Sequence, residues 1–442
     1  MRHLFGTDGI RGEAGVAPLN DSTVSQIGGA LVNSLGKAGF AAPVQIALGC
    51  DTRESSEGIA AAFAGGVIAA GGRLSYAGVV PTPGIAFLVQ SLGAAAGVVI
   101  SASHNPWQDN GVKIFSSLGR KLPDEVEIEI EREIKVTTPA RSMALTADPN
   151  LSRSYLDHLV STLPHRLDSL TVVIDGANGA AYSIGPEAFH AAGANVVSLH
   201  VAPNGRNINE NSGALHPLAM VQKVKAIGAD FGIALDGDAD RIVVADAHGT
   251  VLDGDDILYL WTLELEREGR KPEVVVGTVM SNWSLEEALN ARGIRLIRAA
   301  VGDRYVVDEM QREGALLGGE PSGHLIRSDL TTTGDGVLTG LHIAALIAAS
   351  GQPLHAQPRL IHTPQILLNV RVKSRIPFEA IPGLQNEKER CEKMLDGHGR
   401  ILLRYSGTEA LARVMVEGSE AALVRTVAGS LAQTIKDAIG AS

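Results

Sequence analysis

The chain of 442 residues has only two cysteines, Cys50 and Cys391, far apart and in no metal-ligand spacing. A disulfide framework is excluded, and the thiols suit a reducing intracellular compartment. Positive charge is also short: 38 Lys and Arg stand against 49 Asp and Glu, a net −11. That argues against a nucleic-acid partner or an anionic membrane surface, so any anion must be met by a local concentration of Arg, Lys and backbone N–H groups. No run of about 18 apolar residues occurs, which excludes a transmembrane helix; the nearest, 59–71, is Ala- and Gly-rich like a packed helix. The first nine residues lack an apolar core, so no signal peptide is expected and the expected location is cytoplasmic. Also missing are G-x-x-x-x-G-K-[ST], H-E-x-x-H, G-x-S-x-G and a G-x-G-x-x-G opening a helix. ATP-cradling, zincin, α/β-hydrolase and dinucleotide readings lose their main support.

What is present is an ordinary globular composition, 45% hydrophobic and 20% charged, with few aromatics (4%) and 50 glycines. This suits close-packed α/β layers with many tight loops. The length implies roughly three or four units of ~100–150 residues. Strand, polar loop and helix alternate: helix 22–39, strand 44–48, helix 57–71, strand 96–100. This is the rhythm of a parallel sheet, and the fold class is α/β. Residues 124–136 alternate at Val126, Ile128 and Ile130 like a strand, yet their length and Glu density favour a helix. Unit boundaries are expected at 1–155, 156–255, 256–364 and 365–442. The last unit ends in a helix with Leu423, Val427, Leu431, Ile435 and Ile439 at four-residue spacing, one buried face.

Four stretches carry chemistry. The buried strand 96–100 empties into Ser101-Ala102-Ser103-His104-Asn105-Pro106, which cannot extend a ladder because Pro106 has no N–H. Ser103 therefore sits at the carboxyl end of a core strand, where open α/β sheets bind ligands. The same loop offers His104, Asn105 and, shortly after, the Lys113 ammonium. Alone, it reads equally well as a capped turn. Asp236-Gly237-Asp238-Ala239-Asp240-Arg241 sets three carboxylates at alternate positions between apolar runs, so it caps a hairpin. Their mutual repulsion calls for a hard divalent cation with oxygen ligands. An EF-hand fails, since its sixth position needs Gly and its twelfth Glu, where this chain has Arg241 and Ala247. The glycine-rich run Gly319-Glu320-Pro321-Ser322-Gly323-His324 offers groups suited to a polyol. Arg404-Tyr405-Ser406-Gly407-Thr408, with Arg413 close by, has the guanidinium, hydroxyl and backbone N–H groups that a phosphate dianion needs.

These four motifs, together with Phe5-Gly6-Thr7-Asp8-Gly9-Ile10-Arg11-Gly12, occur in the order found in the α-D-phosphohexomutase superfamily, which the chain resembles along almost its whole length. The resemblance implies three related α/β domains with mixed sheets and a smaller C-terminal α+β domain. It implies an isomerase using a phosphorylated Ser103 and a 1,6-bisphosphate intermediate. One Mg²⁺ per chain would be held by Asp236, Asp238, Asp240 and the Ser103 phosphate, and a hexose 1,6-bisphosphate would prime the serine. Lys113 and His324 would be the acid/base candidates, Lys113 only if its surroundings lower its pKa, while Arg11 and Arg241 would steady the phosphoserine region. Glu320 and Ser322 would contact the sugar, and Arg404, Ser406, Gly407, Thr408 and Arg413 would hold the distal phosphate. The Ser101-Ala102 lead-in and the Ser-Gly-Thr-Glu run at 406–409 are similar to the branch interconverting glucosamine 6-phosphate and glucosamine 1-phosphate, which feeds UDP-N-acetylglucosamine and cell-wall precursors. The alternatives are a glucose- or mannose-phosphate mutase, a non-catalytic phosphosugar binder, and a metal-dependent phosphatase. The expected partner is a phosphosugar, with no nucleic acid or membrane, and a homodimer is left open. Pro321, Ala410 and Ser212 depart from the usual residues, none of them at the serine, the aspartates or the phosphate arginines.

Overall fold

The structure, a computed structural model, describes residues 4–6, 8–406 and 410–441. Apolar β-branched runs form the central strands of four successive sheets. The first sheet joins β1 (Ile10–Glu13), β2 (Gln45–Cys50), β3 (Arg73–Val79), β4 (Ala96–Ile100) and β5 (Asp109–Ser116) in the order β1-β5-β4-β2-β3. β2, β3 and β4 run parallel, while β5 is antiparallel to both β4 and β1. All five residues of β4 are buried, because neighbours cover both faces of a strand inside the sheet. Helices α1 (Asp21–Lys37), α2 (Ser56–Ala69), α3 (Thr82–Ser91), α4 (Asp124–Ile134) and α5 (Pro149–Ser161) accompany this sheet. The ambiguous Glu-rich stretch is thus the helix α4. It buries Ile130 and Ile134 and lies against α1.

The second sheet repeats the plan with β6 (Thr171–Asp175), β7 (Asn195–Leu199), β8 (Phe231–Leu235), β9 (Ile242–Asp246) and β10 (Val251–Leu252), in the order β10-β9-β8-β6-β7. Its helices are α6 (Ile184–Ala191) and α7 (Leu218–Ile227). α8 (Gly254–Arg267) then leads to a third sheet of β11 (Val274–Thr278), β12 (Arg295–Ala299), β13 (Leu317–Gly319) and β14 (Leu325–Arg327). α9 (Trp283–Asn290) and α10 (Asp303–Glu313) belong to this unit. α11 (Gly336–Ser350) follows the third sheet in the chain but packs against β8, β9, α5 and α6 of the earlier units. The fourth sheet is antiparallel, β15 (Gln365–Arg371), β17 (Leu411–Gly418) and β16 (Gly399–Tyr405) in that order, backed by α12 (Leu384–Leu395) and α13 (Ala421–Ile439).

One hydrophobic core runs through the first three units, from Ile85 and Tyr155 through Ile174 and Phe231 to Trp261 and Val275. The fourth unit has its own, in which Val427, Leu431 and Ile435 of α13 are fully buried against Val414 and Val416. Leu423 and Ile439 are partly buried at its margin, so the helical stripe read from the sequence is the buried face. Among the described residues no helix is long and apolar enough to cross a membrane.

One expectation needs correcting. Lys113 does not sit on the serine loop: it lies on β5, paired with Val99 of β4. The run Asp109-Asn110-Gly111 has turn composition, but pairing with Glu13, Gly12 and Arg11 of β1 makes it strand, and β4 pairs with the residues that follow it, 112–116.

Candidate active site

The parallel strands of the first two sheets end in the polar loops 51–53, 101–106, 175–178 and 236–240, and the loops after β4 and β8 meet. Ser103 follows β4 with φ +53, a left-handed conformation uncommon for a residue with a Cβ. Its amide donates to Ser101 Oγ at 3.0 Å. Its hydroxyl donates to Asp236 Oδ2 at 2.6 Å, with His104 Nδ1 3.3 Å away. Gly237, between the first two aspartates, lets the loops approach. A Cβ there would lie 2.4 Å from the Ser103 carbonyl oxygen.

β8 and β9 form the expected hairpin, and Asp236, Asp238 and Asp240 cap it with one carboxylate oxygen each, all within 4.8 Å of one another. All three are buried. Burial, then repulsion from Asp240 and Asp238, pushes Asp236 up to about 8. Asp240 is held well below the usual carboxylate range: burial opposes this, but Lys113 and His324 outweigh it. Lys113 Nζ (2.7 Å) and Thr82 Oγ1 (2.5 Å) both donate to Asp238 Oδ2. The Oδ1 atoms of Asp238 and Asp240 are buried and accept no hydrogen bond. Buried oxygens without donors cost free energy unless something positive meets them, so the cluster fits a hard divalent cation. A second acidic group, Asp253 and Asp256 beside His362, differs in kind. Its aspartates form the capping box at the start of α8 and accept its first N–H groups.

Lys113 is fully buried, its ammonium 2.7 Å from Asp238, 3.2 Å from Asp8 and 3.5 Å from Asp240. The lowered pKa required of it as a base is absent here. Burial pulls it down, but these three carboxylates overcome burial and raise it well above its ordinary value. Asp8 also pairs with Arg11 and Lys121, and Lys121 reaches Asp303 at 2.7 Å. Arg11, on β1, faces Asn105 Oδ1 at 3.4 Å. His324 receives the Gly334 N–H on Nε2 at 3.0 Å, which places its own proton on Nδ1, 3.7 Å from Asp240. Nε2 is thereby engaged, while Nδ1 faces Asp240 from beyond hydrogen-bond distance. Burial alone would lower its pKa, but Asp240 and Asp303 raise it.

The β13–β14 turn brings the sugar-loop candidates to the same place. Gly323 has φ +89, and a Cβ on it would lie 1.9 Å from the Ile242 carbonyl oxygen, directly beside the aspartate hairpin. Glu320 accepts the Gly302 N–H at 2.9 Å and faces Ser322 Oγ at 3.4 Å. The Arg241 amide donates to Asp236 Oδ1 at 3.2 Å, and its guanidinium lies 3.9 Å from Asp240. In the fourth sheet Arg404 and Arg413 are direct cross-strand partners, and Arg413 reaches Ser406 Oγ at 3.5 Å. Burial and Arg413 lower the pKa of Arg404. Like charges set opposite each other destabilise a sheet, and an anion between them removes that penalty. Gly407 and Thr408 lie outside the described residues.

Asp8, Thr82, Lys121 and Asp303 also belong to this network, although nothing singled them out in the sequence as site residues. Asp8 had the only signal, a carboxylate within a glycine-rich loop.

A buried serine at the end of an α/β strand, hydrogen-bonded into a carboxylate cluster that fits a cation, offers the parts that metal-assisted phosphoryl transfer needs. The chain belongs to the phosphoglucomutase/phosphomannomutase family: the profiles of its α/β/α domains I, II and III match residues 2–141, 153–249 and 253–362, and that of its C-terminal domain matches 367–434. It is 44% identical to the phosphoglucosamine mutase of Anaeromyxobacter dehalogenans over 99% of this chain and 100% of the relative. It is 45% identical to that of Solibacter usitatus, over 99% of both. A phosphoglucomutase/phosphomannomutase family protein from Burkholderia thailandensis has the same fold, with TM-score 0.81 and 23% identity over 99% of this chain and 98% of that one.

Proposed function

We propose that this chain is an isomerase that interconverts glucosamine 6-phosphate and glucosamine 1-phosphate through phospho-Ser103 and a 1,6-bisphosphate intermediate. The observation that carries this is the 2.6 Å contact between Ser103 Oγ and Asp236 inside the three-aspartate cluster, in a chain similar from end to end to phosphoglucosamine mutases. The phosphoryl group leaves Ser103 Oγ for the free sugar hydroxyl: the P–O bond to Ser103 breaks as the one to the sugar oxygen forms, and the sugar hydroxyl's proton replaces the one that Lys113 gives to Ser103 Oγ. The bisphosphate then reorients and returns its other phosphoryl group to Ser103.

Asp236, Asp238 and Asp240 would hold one Mg²⁺, with the Ser103 phosphate as a further ligand. When bound, it supplies neutralising charge at the transferring phosphoryl group. We assign proton transfer to Lys113. Its ammonium, held by Asp8, Asp238 and Asp240, carries the proton, so Lys113 would act first as the acid toward Ser103 Oγ. His324, its Nε2 taken by the Gly334 N–H and its Nδ1 facing Asp240, steadies that carboxylate by charge. Arg11 and Arg241 steady the phosphoserine region, and Glu320 and Ser322 bind the sugar. Arg404, Ser406, Gly407, Thr408 and Arg413 hold the distal phosphate in either orientation. The working units are 1–155, 156–255, 256–364 and 365–442, the site of action is the cytoplasm, and a hexose 1,6-bisphosphate primes the serine. A homodimer is compatible with this scheme.

The test compares turnover of glucosamine, glucose and mannose 6-phosphates with Mg²⁺ and primer. Preference for the amino sugar is expected. Faster turnover of glucose or mannose 6-phosphate would keep the chemistry and overturn the substrate.

A further inference from the structure

The loop Asp51-Thr52-Arg53 after β2 stands beside the serine loop, and its arginine is 2% exposed. In an acidic chain a buried arginine near a phosphorylation site invites assignment as a phosphate ligand. Its hydrogen bonds exclude that. Nη2 donates to the carbonyl oxygens of Ser103 and Asn105, both at 2.9 Å. Nη1 donates to those of Pro106 and, at 3.0 Å, Asp109. Nε donates to Asp51 Oδ2 at 2.8 Å. All five N–H groups of the guanidinium are engaged, so none remains for a ligand.

Asp51 extends the grip. It accepts from Ser101 Oγ at 2.6 Å, and Ser101 Oγ in turn accepts the Ser103 amide at 3.0 Å. From the second unit, Asn209 Nδ2 donates to the same Ser103 and Asn105 carbonyls at 2.9 and 3.2 Å. The nucleophile is thus held from both sides by groups that never face it. Ser103 needs such holding, because its left-handed backbone is disfavoured for a residue with a Cβ.

We infer that Arg53 and Asn209 are positioning residues that clamp the carbonyls of the Ser103 loop and so aim its hydroxyl at the phosphoryl-transfer site. This rests on the phosphoserine reading above. A planar fork can span four carbonyls, which an ammonium with three donors cannot. Displacing a nucleophile by about 1 Å can cost ~100-fold in rate while leaving substrate contacts intact.

The experiment uses the full chain with Arg53→Met, Arg53→Lys and Asn209→Gly. Glycine tolerates the φ of +60 at position 209, so that variant removes only the amide. It keeps the test decisive if Arg53→Met does not fold. Two readouts are taken: kcat and KM for glucosamine 6-phosphate, and hydrogen exchange of the amides of 101–111. The expected result is a fall in kcat of ~100-fold for Arg53→Met and about tenfold for Asn209→Gly, with KM and Mg²⁺ affinity within about twofold of wild type. Arg53→Lys recovers part of the loss, and exchange quickens in every variant that folds. Wild-type exchange and kcat in folded Asn209→Gly would overturn the clamp, and so would a raised KM at unchanged kcat. An inactive wild type would overturn the mutase reading instead, and loop exchange would then decide the clamp alone.

Discussion

The aspartate loop of the second unit and the arginine strands of the fourth are opposites in charge and in construction. The aspartates are buried where three units share one core, and Thr82, Lys113 and His324 reach them from the neighbouring units. The arginines stand on an antiparallel sheet with its own core, charge facing like charge across the strands. The two clusters thus concentrate opposite charge at two places in one chain. The comparison teaches that a chain with net charge −11 can still set a local concentration of positive charge apart from its acidic cluster, as the proposed binding of a dianion and a cation requires.

Breaking the acidic pole has the larger effect. Asp238→Asn is expected to cost more in Mg²⁺ affinity than the ~10–100-fold that removing an outer-shell partner costs, and to abolish turnover. Titration calorimetry and the coupled assay check this. Retained affinity would place the cation elsewhere. At the basic pole, Arg413→Ala removes a charge-assisted contact of about 1.5–3 kcal/mol, so KM should rise ~10–100-fold. The same substitution relieves repulsion from Arg404 worth ~0.2–1 kcal/mol while also removing Arg413's own partners, so the melting temperature should change little. A lowered melting temperature with unchanged KM would mean that the arginines are structural.

Protons sharpen the contrast further. Metal-free Asp236 is pushed up to about 8, so below that pH a proton competes with the cation. Mg²⁺ affinity should therefore climb by up to about tenfold per unit as pH rises toward 8 and then level off, with proton release seen by calorimetry in two buffers. A flat profile from pH 6 to 8 would contradict this electrostatic picture. The smallest effect is on stability. Because its folded pKa is raised, Asp236 favours the folded state less as pH rises from its ordinary value toward 8. Metal-free Asp236→Asn should thus melt above wild type at pH 8, the gap closing toward pH 4, and Mg²⁺ should protect wild type alone. A gap independent of pH would point to packing.

Much of this was legible in the sequence. The hairpin under the aspartates was visible because apolar runs flank the acids closely, and the α13 stripe because period-four burial survives any tertiary context. Lys113 was misplaced because Asp109-Asn110-Gly111 carries turn composition, which pairing with the distant strand β1 overrides. The packing of α11 on the second sheet, the contacts of Arg53 and the Lys113 partner of Asp8 were hidden for a related reason. Their partners lie far along the chain, and only the fold brings them together.

The most direct test of the account follows one phosphoryl group. Chain labelled at Ser103 by a radioactive hexose 1,6-bisphosphate is mixed with unlabelled glucosamine 6-phosphate and Mg²⁺, and the products are separated. The account predicts that label leaves the protein and appears in glucosamine 1,6-bisphosphate and the monophosphates, and that Ser103→Ala takes up none. Label released as inorganic phosphate, or equal labelling of Ser103→Ala, would contradict it.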